Sequence, residues 1–196
     1  MTLLFAHQPA LAAAPNKTVL IFGDSLSAGF GLPAGKEWPS LLAGRLREQR
    51  LDYTVANLSI SGETTAGGRS RLPEALKRLR PAVVVLELGA NDGLQGQPLP
   101  QMRQNLQVMI AAARQAGARV LLIAVRLPPN YGPYATQFDA IFAELARAEK
   151  LPQPPFLLDG IAEKPEFFQP DRLHPTAAAQ PRLLDNVWPT LRPLLK

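Results

Sequence analysis

A serine sits directly behind a run of strand-forming residues near the start of this chain. Thr18-Val19-Leu20-Ile21-Phe22 is followed at once by Gly23-Asp24-Ser25-Leu26. Such a run ending in a Gly-Asp-Ser turn places a hydroxyl at the carboxyl end of a buried strand, and in open α/β sheets ligands bind at that edge. A serine hydroxyl is a weak nucleophile until a base takes its proton. The chain has two histidines, His7 and His174. His7 falls in an N-terminal leader, which leaves His174 as the imidazole base. It closes the segment Asp171-Arg172-Leu173-His174-Pro175. In a turn or a first helical turn, side chains three residues apart point the same way. The Asp171 carboxylate can then hold the Nδ1 proton and leave Nε2 free to face Ser25. The same pair is equally the cap of a helix start before Pro175, and spacing alone does not separate the two readings.

A tetrahedral oxyanion needs donors aimed at it before it forms. Two further loops follow expected strands and therefore share the same sheet edge. They are Ser59-Ile60-Ser61-Gly62-Glu63-Thr64 and Gly89-Ala90-Asn91-Asp92-Gly93. The backbone N–H groups of Ser25 and Gly62 and the side-chain amide of Asn91 would supply three donors. Each has a plainer reading as well: Gly62 permits a tight turn, and Asn91-Asp92-Gly93 is turn-forming.

The elements that must position these groups alternate in type. Strands are expected at 18–22, 53–59, 82–88, 119–125 and 156–158. Helices are expected at 38–49, 66–79, 100–116 and 138–149, with a last one at 177–191 interrupted by Pro181 and Pro189. Met102, Leu106, Met109, Ile110 and Ala113 keep the spacing of one buried helix face, which Gly117 ends. Val83-Val84-Val85-Leu86 is apolar at successive positions, as in a strand covered on both faces. Alternating β and α elements imply parallel strands joined by right-handed crossovers. The expected fold is therefore an α/β three-layer sandwich, with helices on both faces of a flavodoxin-like five-stranded parallel sheet. Prolines concentrated in the last quarter predict a loop-rich end with broken helices.

Composition excludes several classes. The 196 residues, 46% hydrophobic and 19% charged, fit one soluble globular domain. With no cysteine, thiolate catalysis and disulfides are excluded. Three aspartates without a paired histidine do not make a metal site, so no metal is expected. The net charge of +5 is spread over scattered arginines and lysines, without the runs of a nucleic-acid-binding surface. At most weak contact with an anionic membrane surface is expected. Residues 1–14, with Ala-x-Ala choices ending at Ala12 or Ala14, read as a partial signal peptide or leader ahead of a domain at 15–196. That reading predicts a periplasmic or secreted protein, or a cytoplasmic one if the leader is not a signal.

Four blocks then carry a resemblance: Gly23-Asp24-Ser25-Leu26-Ser27, Ser61-Gly62-Glu63-Thr64, Gly89-Ala90-Asn91-Asp92 and Asp171-Arg172-Leu173-His174. Their order and content resemble the SGNH (GDSL) hydrolase superfamily, over essentially everything from Lys17 onward. Asp24-Ser25-Leu26-Ser27-Ala28-Gly29, Leu88-Gly89-Ala90-Asn91-Asp92-Gly93-Leu94 and Arg126-Leu127-Pro128-Pro129-Asn130-Tyr131-Gly132 are similar to its bacterial thioesterase, arylesterase and lysophospholipase branch. The resemblance implies hydrolysis of esters and thioesters by a monomer without metal or cofactor. It implies Ser25 as nucleophile, His174 as base and Asp171 as its orienter, with Ser25, Gly62 and Asn91 around the oxyanion. It also puts Asp24, Leu26, Pro129 and Tyr131 in the substrate-binding set, although Asp24 beside the nucleophile reads better as a structural carboxylate. Three prolines between 128 and 133 predict a stiffened loop. The α/β-hydrolase elbow is excluded because Gly23-Asp24-Ser25-Leu26-Ser27 lacks its second glycine. The alternative on the same scaffold is a carbohydrate O-acetyl esterase.

Overall fold

The computed structural model describes residues 17–196, so the expected leader lies outside the described residues. In chain order the elements are β1 (Lys17–Gly23), α1 (Ser25–Ala28), α2 (Trp38–Glu48), β2 (Tyr53–Asn57), α3 (Thr65–Leu79), β3 (Val83–Glu87), α4 (Ala90–Leu94), α5 (Leu99–Gln115), β4 (Arg119–Leu122), α6 (Pro133–Ala148) and α7 (Gln180–Leu191). The four strands form a parallel sheet in the order β2-β1-β3-β4. Val19 pairs with Val55 on one side and Val83 on the other.

This order places the functional residues. From β1 the chain moves outward to β2, then crosses back over β1 to reach β3. The direction of winding reverses beside β1, which opens a crevice beyond the carboxyl ends of β1 and β3. Ser25 follows β1 and Asn91 lies just after β3, so both border that crevice. The reversal also splits the helices. Helix α2 packs on α7, while α5 packs on α3 and α6. The sheet between them is dry: Val83, Val84, Val85 and Leu86 are all buried, as their unbroken apolar run requires.

The sheet has four strands rather than five. Segment 156–158 makes only an isolated parallel bridge, Phe156 opposite Ala124. Pro152, Pro154 and Pro155 precede it and offer no backbone N–H to a ladder. Strand β4 accordingly stops at Leu122, short of 125. The last helix also differs: 177–179 is a 3₁₀ turn, and α7 begins at Gln180 with Pro181 tolerated in its first turn and Pro189 inside it. Helix α6 starts at Pro133, five residues before the expected 138.

Candidate active site

Strand β1 ends where only glycine fits. A Cβ on Gly23 would stand 2.5 Å from Glu87 Oε2 and 2.8 Å from the Glu87 carbonyl oxygen. Asp24 then caps α1, its Oδ1 accepting the Leu26 N–H at 3.0 Å, and Ser25 becomes the first helical residue. Gly29, at φ 76°, closes this single turn. Beneath it lies a buried polar chain. Trp38 Nε1 donates to Ser27 Oγ at 3.3 Å, and Ser27 Oγ donates to Glu87 Oε2 at 2.7 Å. Glu87, from the otherwise apolar β3, thus lies under the serine turn.

The opposite wall is a loop. Asp171 Oδ1 accepts the N–H groups of Leu173 at 2.9 Å and His174 at 3.0 Å, and its Oδ2 lies 2.7 Å from His174 Nδ1. A carboxylate only accepts, so the ring proton belongs on Nδ1. His174 Nε2 then accepts from Ser25 Oγ at 2.9 Å. Arg172, at φ 55°, is in the left-handed region that makes this tight reversal. Gln169, which sequence reading missed, fastens the loop to the serine side: its Nε2 donates to the Phe30 carbonyl at 2.8 Å. Phe30 lays its ring 4.4 Å, centroid to centroid, from that of His174.

Gly62, at φ 81°, and Asn91 both line the cavity in front of Ser25. Asn91 Nδ2 donates to the Glu63 carbonyl at 2.9 Å and reaches Asp24 Oδ2 at 3.3 Å. Asp92 is a structural carboxylate, accepting the Thr65 N–H at 2.8 Å at the start of α3. The cavity, about 710 Å³, has an apolar wall that includes Leu94, Val125, Phe156 and Leu158. Leu26 and Pro129 border it. Tyr131 does not: its hydroxyl turns away to donate to the Leu94 carbonyl at 3.3 Å. Asp24 is adjacent but has no exposed surface.

The carboxyls differ in charge state. Burial, reinforced by Asp92 and Glu63, pushes Asp24 up to about 7. Burial, then Asp24, pushes Glu87 well above the usual carboxyl range. The N–H of His174 and its ring, followed by the Leu173 N–H, pull Asp171 down to about 2.

A hydroxyl, an imidazole and a carboxylate in hydrogen-bonded sequence, at the carboxyl edge of a parallel sheet, form the arrangement of a serine hydrolase. Residues 21–181 match the GDSL-like lipase/acylhydrolase family. The chain is 50% identical to an esterase, TesA, of Pseudomonas aeruginosa, over 93% of this chain and 91% of that protein. It is 40% identical to the thioesterase 1/protease 1/lysophospholipase L1 of Escherichia coli, over 98% and 91%. The crystal structure of a TesA superposes with a TM-score of 0.87 at 49% identity, over 91% of this chain and all of that one. The chain belongs to the GDSL-like lipase/acylhydrolase family and is a carboxylic ester hydrolase.

Proposed function

We propose that the protein cleaves carboxylic esters and thioesters through an acyl-enzyme on Ser25. The observation that supports this most is the 2.9 Å contact between His174 Nε2 and Ser25 Oγ, with Asp171 2.7 Å behind the ring. As Ser25 attacks the acyl carbonyl, His174 takes the hydroxyl proton at Nε2, and Asp171 stabilises the resulting imidazolium. The oxyanion develops among the N–H groups of Ser25 and Gly62 and the Asn91 amide. When the tetrahedral intermediate collapses, His174 returns the proton to the leaving alcohol or thiol. Water then enters, gives its proton to His174 and attacks the acyl-enzyme, releasing the acid and restoring Ser25.

The acyl chain lies along Leu94, Val125, Phe156 and Leu158, in a cavity whose size suits a medium-length chain. Aryl esters, acyl-thioesters and lysophospholipids are the substrate classes that fit this reading. The E. coli relative's name joins the last two. Residues 15–196 act as one monomeric catalytic domain, and the small-residue segment ahead of it directs the protein to the periplasm or outside the cell.

Hydrolysis of p-nitrophenyl esters from acetate to palmitate, by wild type and Ser25→Ala, tests the proposal. Turnover in wild type with only background in the variant is expected. Undiminished turnover in Ser25→Ala would reject the nucleophile. Cleavage of acetylated sugars in preference to every acyl ester would favour the O-acetyl esterase alternative.

A further inference from the structure

Arg172 stands where a glycine would serve the backbone better. Its φ of 55° is left-handed, a conformation that strains a side chain and leaves glycine unstrained. Among the described residues three other non-glycine positions share it, Arg50, Arg80 and Lys150. Each follows the end of a long helix, α2, α3 or α6, where a cation complements the negative end of the helix dipole. Arg172 closes no helix; it stands in the loop that carries Asp171 and His174. Its side chain is exposed and lines the cavity in front of Ser25. None of the ion pairs among the described residues engages it. Asp139 and Glu163 border the same cavity, yet neither pairs with it. Its backbone is fixed, the N–H donating to the Gln169 carbonyl at 2.8 Å. A strained, unpaired cation is thereby held beside the imidazole.

The chemistry says which part of a substrate meets it. His174 Nε2 must reach the leaving oxygen or sulfur, so the leaving group extends from Ser25 toward the imidazole loop. The acyl chain takes the apolar wall. The other arginine of the cavity, Arg126, belongs to that wall, its guanidinium 4.3 Å from the centroid of the Phe156 ring. Arg172, on the same short loop as His174, belongs to the leaving-group side. A planar guanidinium there suits a phosphate, whose oxygens it can meet in pairs.

We propose that Arg172 binds a phosphate in the leaving group, and so favours esters and thioesters whose alcohol or thiol carries one. This deepens the acyl-enzyme reading above and rests on it. Two sources supply that chemistry, the headgroup of a lysophospholipid and the phosphates of coenzyme A.

Matched substrate pairs isolate the contact. Octanoyl lysophosphatidylglycerol is compared with octanoylglycerol, and octanoyl-CoA with the octanoyl thioester of N-acetylcysteamine, all below their micellar concentrations. Arg172→Gly suits the left-handed backbone, so the variant folds. In it, KM for a phosphate-bearing member rises about tenfold or more relative to its neutral partner, the scale of a lost hydrogen bond to a charged group. The kcat ratio stays within about twofold, because the phosphate is held equally before and during bond cleavage. Any slackening of the loop affects both members of a pair and cancels in the ratio. Arg172→Lys, which keeps the charge and loses the paired geometry, recovers part of the preference. A shift in the lipid pair alone assigns the phosphate to a lipid headgroup, and a shift in the thioester pair alone assigns it to the coenzyme. Unchanged ratios in both pairs overturn the proposal. So does wild-type protein that cleaves p-nitrophenyl butyrate but neither phosphate-bearing substrate. Wild type inactive on every ester and thioester overturns the acyl-enzyme reading as well.

Discussion

The two walls of the site are built on opposite principles. The serine wall is made of the core: β1 ends against Glu87, Asp24 and Ser27 are completely buried, and the carboxyls there titrate above their ordinary range. The imidazole wall is a surface loop: the Asp171 side chain is 41% exposed, is held by N–H groups within three residues of itself, and titrates well below its ordinary range. Ser25, Gly62 and Asn91 are positioned by tertiary packing. Asp171 and His174 assemble from one short segment, which Gln169 then fastens in place. Burial opposes charge on Asp24 and Glu87 in the first region, while N–H groups stabilise it on Asp171 in the second, so the carboxylate beside His174 sits where water can also solvate it.

Breaking the link between the walls has the largest effect. His174→Ala lowers kcat about 10⁶-fold, some 8 kcal/mol of barrier, and combining it with Ser25→Ala lowers it little further, since the two act as a unit. Steady-state rates of both single variants and the double variant check this; losses that multiply would mean the walls act independently. Asp171→Asn comes next. It lowers kcat about 10⁴-fold by stabilising the wrong ring tautomer, while thermal unfolding, followed by circular dichroism, changes little because the carboxylate is exposed.

The pH dependence of stability sharpens the contrast further, because the walls pull in opposite directions. Asp24 has a folded-state pKa raised from 3.8 to about 7, so folding favours its protonated form. Its contribution is fully present below about pH 4 and is lost as pH rises through 7. Asp171 has a folded-state pKa lowered to about 2, so its contribution is present above about pH 4 and is lost as pH falls through 2. At 41% exposure, solvent screening holds this second effect below about 1 kcal/mol. Urea unfolding of wild type, Asp24→Asn and Asp171→Asn at intervals from pH 2 to 8 separates them. Asp24→Asn flattens the curve between 4 and 7, and Asp171→Asn flattens it below 4. A wild-type curve unchanged by either substitution would dissolve the contrast.

The same division governs what could be read from the sequence. Asp171 and His174 are legible as candidates because their geometry is local: three residues' spacing lets the side chains meet, though it does not by itself tell a catalytic pair from a helix cap. Ser25 and Asn91 are legible as candidates because each follows a strongly apolar run that could only be a covered strand. Glu87 interrupts such a run, but its partner Ser27 is 60 positions away and only the pairing of β1 with β3 brings them together. Gln169 is opaque for the same reason, lying 139 positions from the carbonyl it holds. Helices α1 and α4 are one turn long, too short for apolar periodicity to register. The apolar residues at 156–158 suggest a fifth strand, but the prolines ahead of them withhold the N–H groups that a ladder needs. The direction of Tyr131, on a one-turn 3₁₀ segment, depends on the Leu94 carbonyl it meets, which spacing does not reveal.

Those prolines have a consequence away from catalysis. The outer margin of a parallel sheet is a template for aggregation, because unpaired N–H and C=O groups along it can recruit any extended chain. Beyond β4 the ladder shrinks to two bonds, the Ala124 N–H to the Pro155 carbonyl at 2.9 Å and the Leu157 N–H to the Ala124 carbonyl at 3.2 Å. The covering segment begins with residues that have no hydrogen to offer. A strand from another molecule arriving at that margin meets a proline instead of a donor, so the segment that fails to become a fifth strand blunts this edge of the folded sheet.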